Sequence, residues 1–101
     1  MRGIHQENST LAPRGVPRVR LAFENMRDLA EMVGAELTDC VRLVVYTTDM
    51  YRYRPLVNEV QIEFWREDPS KYPPRTIVEV DRLNEDDVVE VEGTFWNPAK
   101  V

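Results

Sequence analysis

The chain has 101 residues, one cysteine, one histidine and a formal charge of −5 at pH 7, which sizes it as one small domain spanning 1–101. At 43% apolar and 31% charged it is too apolar to remain disordered, yet no stretch approaches the roughly 20 apolar residues of a spanning helix. Cys40 cannot close an internal disulfide, one cysteine with His5 gives no zinc-ligand spacing, and the acidic surplus repels phosphate backbones, so disulfide scaffolds, metal sites and nucleic-acid binding are disfavoured.

Residues 1–16 mix Gly3, Pro13 and Gly15 with Asn8, Ser9 and Thr10, which suggests a short extended start followed by a loop. The segment Met1-Arg2-Gly3-Ile4-His5-Gln6-Glu7 has no apolar leader region, and a cytoplasmic protein is expected. From Pro17, Ala22, Phe23, Met26, Leu29, Ala30 and Val33 recur at steps of three and four. That spacing predicts an amphipathic helix over 17–33, with Arg18, Arg20, Glu24, Asn25, Arg27, Asp28 and Glu31 mostly on its wet face. Pro17 suits the first turn and Gly34 the position past the end.

Residues 39–48 are rich in β-branched and aromatic side chains and too short for a typical helix, so they predict a largely buried strand. A second helix is expected from about Pro55 to near Glu67, with Leu56, Val57, Val60, Phe64 and Ile62 on its apolar side. Three prolines between Asp68 and Pro74 exclude helix and central strand there. Two strands follow, 76–80 and 88–95, separated by Asn84-Glu85-Asp86-Asp87, and 96–101 form a tail. This order suits an α+β sandwich with two helices on one face of a mixed sheet. A core this thin also favours association of subunits.

A few side chains could carry chemistry. Arg75 follows two prolines and opens a strand, so its guanidinium is either an anion clamp or a surface cation exchanging salt bridges. Glu90 and Glu92 alternate with Val89 and Val91 and share one strand face, which either lines a cleft where Glu90 moves protons or is simply solvated. Asn58 lies inside the second helix, where a tertiary hydrogen bond or plain exposure explains it equally well. His5 reads as solvated and Cys40 as a small buried hydrophobe.

Several of these segments occur together and in register: Thr47-Thr48-Asp49-Met50, Val57-Asn58-Glu59-Val60, Pro74-Arg75-Thr76, Val78-Glu79-Val80 and Val89-Glu90-Val91-Glu92, preceded by Val33-Gly34-Ala35. In these motifs the chain resembles the reactive intermediate deaminase family, also called the Rid or YjgF/RidA family, over about residues 17–95. The separations of 15 residues from Arg75 to Glu90 and 17 from Asn58 to Arg75 fit that family without a gap. The resemblance implies a chorismate-mutase-like fold, a homotrimer with sites between subunits, and hydrolysis of enamines and imines of amino acids, such as 2-aminoacrylate or an aminomuconate. It implies a substrate that is a small imine or enamine carboxylate, with no cofactor and no metal. Carried over residue by residue, it makes Arg75 the carboxylate-binding arginine, Glu90 the residue that positions water, Asn58 a neighbour of the substrate and Gly3 part of a substrate-binding wall.

Two departures from the family pattern stand out. The usual further strand pair at the start, with its aromatic and serine–glycine segment, has no counterpart before Arg2-Gly3-Ile4, so a reduced site wall is expected. Ile77 stands two residues after the arginine, where many relatives carry cysteine, so no thiol chemistry is expected there. The alternative is a non-catalytic interaction, regulatory or chaperone-like protein on the same fold, and a ribonuclease is the third reading.

Overall fold

The computed structural model describes residues 1–66 and 68–98. Its regular elements are α1 (Val16–Met32), β1 (Cys40–Thr47), α2 (Met50–Trp65), β2 (Arg75–Glu79) and β3 (Val89–Phe95), with single 3-10 turns at Leu37–Asp39, Pro69–Lys71 and Asn84–Asp86. The three strands form one mixed sheet in the order β2-β1-β3. β1 runs parallel to β2, with Leu43 opposite Arg75 and Val45 opposite Ile77. It runs antiparallel to β3, with Val45 opposite Val91 and Tyr46 opposite Glu90. α2 provides the crossover that a parallel pair requires.

Both helices cover the same sheet face, α1 over β3 and α2 over β2, and they touch each other. The core between them and the sheet is built from Val19, Ala22, Phe23 and Met26 of α1, Leu43 and Val45 of β1, Tyr53, Val57, Val60 and Trp65 of α2, and Val89 and Val91 of β3. Phe23 stacks edge-on against Trp65 with ring centroids 6.2 Å apart. Paired residues of adjacent strands share a face, and alternate residues along a strand take opposite faces. Arg42, Val44, Tyr46, Thr76, Val78, Glu90, Glu92 and Thr94 therefore line the other sheet face, which no helix covers.

The structure corrects several local expectations. The extended start is a single bridge between Ile4 and Leu11. α2 begins at Met50, because Asp49 caps it: Asp49 Oδ1 accepts from the Arg52 N–H at 3.2 Å. Pro55 lies inside the helix rather than at its start. It withholds one N–H near the first turn, on a side where Tyr51 and Arg54 are exposed, while Tyr53 and Val57 bury the opposite side. The helix ends at Trp65; the expected end at Glu67 and residues 99–101 of the tail lie outside the described residues. Leu29, Val33 and Ile62, expected to face the core, are all exposed, at 52%, 75% and 48%.

Arg18 and Asn25 depart furthest from the wet face assigned to them, since both are buried. Arg18 Nη1 donates to Asp87 Oδ1 at 2.7 Å and its Nε to the Ala12 carbonyl at 2.6 Å. Arg2 Nε donates to Asp87 Oδ2 at 2.7 Å, and the Val88 N–H to Oδ1 at 2.8 Å. Asn25 Nδ2 donates to the carbonyls of Arg2 and Ile4 at 2.9 and 2.8 Å. Burial alone would raise the Asp87 pKa, but the bonds from Arg2, Val88 and Arg18 outweigh it and hold the carboxyl below its usual range. This network straps the first 15 residues over α1. Main-chain bonds between Met1 and Val91 then lay the chain's first residue along the outer edge of β3.

Candidate functional site

Arg75 sits on the outer strand β2 and shares the helix-covered face with Leu43 and Ile77. Its side chain meets one stripe of α2. Nη1 donates to Asn58 Oδ1 at 2.6 Å and to Gln61 Oε1 at 3.0 Å. Asn58 and Gln61 are three residues apart and so share a helix face. With Ile62 and Tyr72 these residues line a recess of about 340 Å³. Tyr72 is fixed over it by donating its hydroxyl to the Arg66 carbonyl, after the 3-10 turn capped by Asp68.

Two neutral amide oxygens hold the guanidinium in place without neutralising it, and no carboxylate among the described residues pairs with it. Burial, followed by the nearby charge of Arg54, lowers the Arg75 pKa from the usual guanidinium value. Such a cation is poised for an anion, because a guanidinium's remaining donors match a carboxylate in a fork.

Glu90 lies elsewhere. It is on β3, opposite Tyr46, on the uncovered sheet face. It borders a recess of about 370 Å³ with Met1, Arg2, Ile4, His5, Gln6, Ser9 and Asn25, and a larger apolar one of about 540 Å³ beneath α1. Its neighbour Glu92 accepts from the Tyr46 hydroxyl at 3.3 Å. The charge of Glu92 is the main cause that raises the Tyr46 pKa. Arg75 and Glu90 thus differ in both sheet edge and sheet face. From strand spacing and register, their Cα atoms are on the order of 14 Å apart within one chain.

Of the residues singled out from sequence, Asn58 and Arg75 meet, and Glu90 stands apart. Gly3 is buried, its carbonyl accepts from the Ala12 N–H at 2.8 Å, and a Cβ there would lie 2.3 Å from the Arg18 carbonyl. Close packing therefore requires glycine, while its neighbours Arg2 and Ile4 border the Glu90 recess. Sequence reasoning missed Gln61, whose position one turn beyond Asn58 was the available signal. It also missed Tyr72, and His5 as part of the Glu90 recess. Among the described residues no group of three or more His, Cys, Asp or Glu side chains could hold a metal ion, and no helix is long and apolar enough to cross a membrane.

Comparison with known proteins gives a consistent picture. Residues 2–95 match the family described as Endoribonuclease L-PSP. A 2-iminobutanoate/2-iminopropanoate deaminase of Salmonella typhimurium is 31% identical over 76 residues, 75% of this chain and 59% of that protein. A solved structure of a probable translation initiation inhibitor from Rhodopseudomonas palustris superposes with a TM-score of 0.93 at 41% identity, covering 97% of this chain and 74% of that one. RidA from an Antarctic Psychrobacter superposes with a TM-score of 0.88 at 30% identity, covering 96% and 76%. The chain spans about 58 to 60% of the length of the curated relatives it matches.

Proposed function

The chain belongs to the reactive intermediate deaminase family, and from that premise we propose that it hydrolyses imines derived from amino acids to 2-oxo acids and ammonia, as a cytoplasmic homotrimer whose sites lie between subunits. The observation that carries this reading is Arg75, a half-buried cation held by Asn58 and Gln61 beside an open recess, with its charge left for a ligand. A substrate carboxylate takes the fork of Arg75. Glu90 of a neighbouring subunit supplies the carboxylate that works on water, since the Glu90 of the same chain faces the wrong side of the sheet.

The chemistry needs little beyond orientation and a proton shuttle. An enamine such as 2-aminoacrylate first becomes its imine tautomer. The imine enters protonated at nitrogen, and Glu90 takes a proton from water as the water oxygen bonds to the iminium carbon, giving a neutral carbinolamine. Glu90 gives that proton to the nitrogen, the carbon–nitrogen bond breaks as Glu90 takes up the hydroxyl proton, and ammonia leaves with the hydroxyl oxygen now the new carbonyl. Asn58 keeps the guanidinium aimed. Gly3 lets the Arg2-to-Ile4 segment lie flat on Arg18, where it walls the Glu90 half of the site.

The test is imine loss and ammonia release with 2-aminoacrylate generated in situ by a dehydratase. The protein is expected to accelerate both, and Arg75→Ala and Glu90→Gln variants of unchanged assembly state are expected to lose on the order of a hundredfold or more. Undiminished turnover in either variant would remove its residue from the mechanism. No acceleration by the assembled protein across a panel of imines would favour the non-catalytic alternative.

A further inference from the structure

Arg75 is not the only cation left without a carboxylate on this seam. Arg54 stands one turn before Asn58 on α2, so positions 54, 58 and 61 form one stripe along β2. Arg54 lines a second recess, of about 430 Å³, with Met50, Tyr51 and Glu79. Because α2 starts beside Glu79 and passes Arg75 at Asn58 and Gln61, the two recesses follow one another along the outer edge of β2.

What sets Arg54 and Arg75 apart is their placement beside adjoining recesses, as two cations without a carboxylate partner among the described residues. Arg2, Arg18, Arg20 and Arg82 each pair with a carboxylate at 2.7 Å. Arg54 and Arg75 make no such pair among the described residues, although the chain carries surplus acid. They are also close enough that the Arg54 charge acts on Arg75. Glu79, the carboxylate lining the second recess, is turned to the start of α2, where its Oε1 accepts the Met50 N–H at 2.8 Å. Two neighbouring like charges are unfavourable on their own and become favourable when an anion lies across both.

We propose that Arg54 is the specificity-determining residue of this site and that it selects a dicarboxylate imine, whose second carboxylate it receives while Arg75 holds the first. Arg54 stands four residues, about 6 Å of helix, from the Asn58 that holds Arg75, so a diacid with two or three intervening carbons can span from one cation to the other while a monoacid on Arg75 leaves Arg54 empty. The proposal rests on the deaminase reading for its chemistry but not for its binding.

Turnover and binding separate the two claims. Imines are generated in situ by amino-acid oxidases, from aspartate and glutamate for diacids and from alanine and 2-aminobutanoate for monoacids. Binding is measured by calorimetry with unreactive succinate and glutarate against propanoate and butanoate. The protein is expected to favour diacids by at least tenfold in both measurements. Arg54→Gln is expected to cut the diacid values at least tenfold more than the monoacid values, with Arg54→Lys recovering part of that difference. Equal losses on both classes, or no diacid preference in either measurement, would overturn the proposal. Diacid binding that depends on Arg54 and Arg75 without turnover of any imine would uphold it and sink the deaminase reading. Monoacid turnover without diacid preference would do the reverse.

Discussion

Arg75 is held by neutral amides and Asp87 by two arginines, and the contrast separates the proposed binding residue from a structural one. Asp87 is fully buried and its oxygens are saturated by Arg18, Arg2 and the Val88 N–H. Asp87→Asn takes the carboxylate from the buried Arg18 and leaves Arg2 with only the exposed Glu85 at 3.3 Å, and is expected to cost about 3–5 kcal/mol in urea unfolding. A loss below about 1 kcal/mol would show that the network is not what holds the N-terminal strap. The folded-state pKa of Asp87 is depressed, so its contribution is fully present above the unfolded carboxylate value of about 3.9 and is lost as pH falls through the lower folded value. Wild-type stability should fall through that acid window, and the fall should be shallower in Asp87→Asn. Asn58→Ala frees Arg75 from its shorter bond of 2.6 Å, and the expected result is a several-fold rise in KM for the imine with folding stability little changed, because Asn58 is exposed. A fall in kcat alone would point to a role for Asn58 in the reacting complex instead.

At the level of elements, α2 connects the fold to the site. Its start depends on Asp49, and Asp49→Ala is expected to cost about 1 kcal/mol of stability while leaving the Arg75 contacts, two turns further on, in place. A larger loss of activity than of stability would mean that the helix start is part of the substrate seam. Periodicity near 3.6 residues made α1 legible, and β-branched and aromatic runs between turn residues made the three strands legible. The start of α2 was hidden by Pro55, whose usual meaning as a helix opener was overridden by the Asp49 cap and the burial of Tyr53. The burial of Arg18 and Asn25 was hidden for another reason. Polar residues on a helix read as wet unless a partner far along the chain satisfies them, and Asp87 lies 69 residues from Arg18.

For the whole molecule, the decisive feature is that Arg75 and Glu90 occupy opposite faces and opposite edges of one three-stranded sheet. Sequence alone supplied both residues and their spacing through the family resemblance, and alternation placed Glu90 and Glu92 on one face. It could not relate that face to Arg75, since the relation depends on strand order and on which strand pairs in parallel. The uncovered sheet face carries Val44, Tyr46 and Val78 among its charges, a surface suited to burial against copies of itself. Sedimentation of the intact protein is expected to give a trimer. A monomer at micromolar concentration would remove the composite site.

The most direct test mixes two inactive variants. Arg75→Ala and Glu90→Gln proteins are unfolded together, refolded as mixed trimers and assayed for imine hydrolysis. If each site takes Arg75 from one subunit and Glu90 from its neighbour, random mixing restores an intact pair at roughly a quarter of the sites, and activity returns to about that fraction of wild type. Mixed trimers no more active than their parents would contradict the composite site and require both residues to act from a single chain.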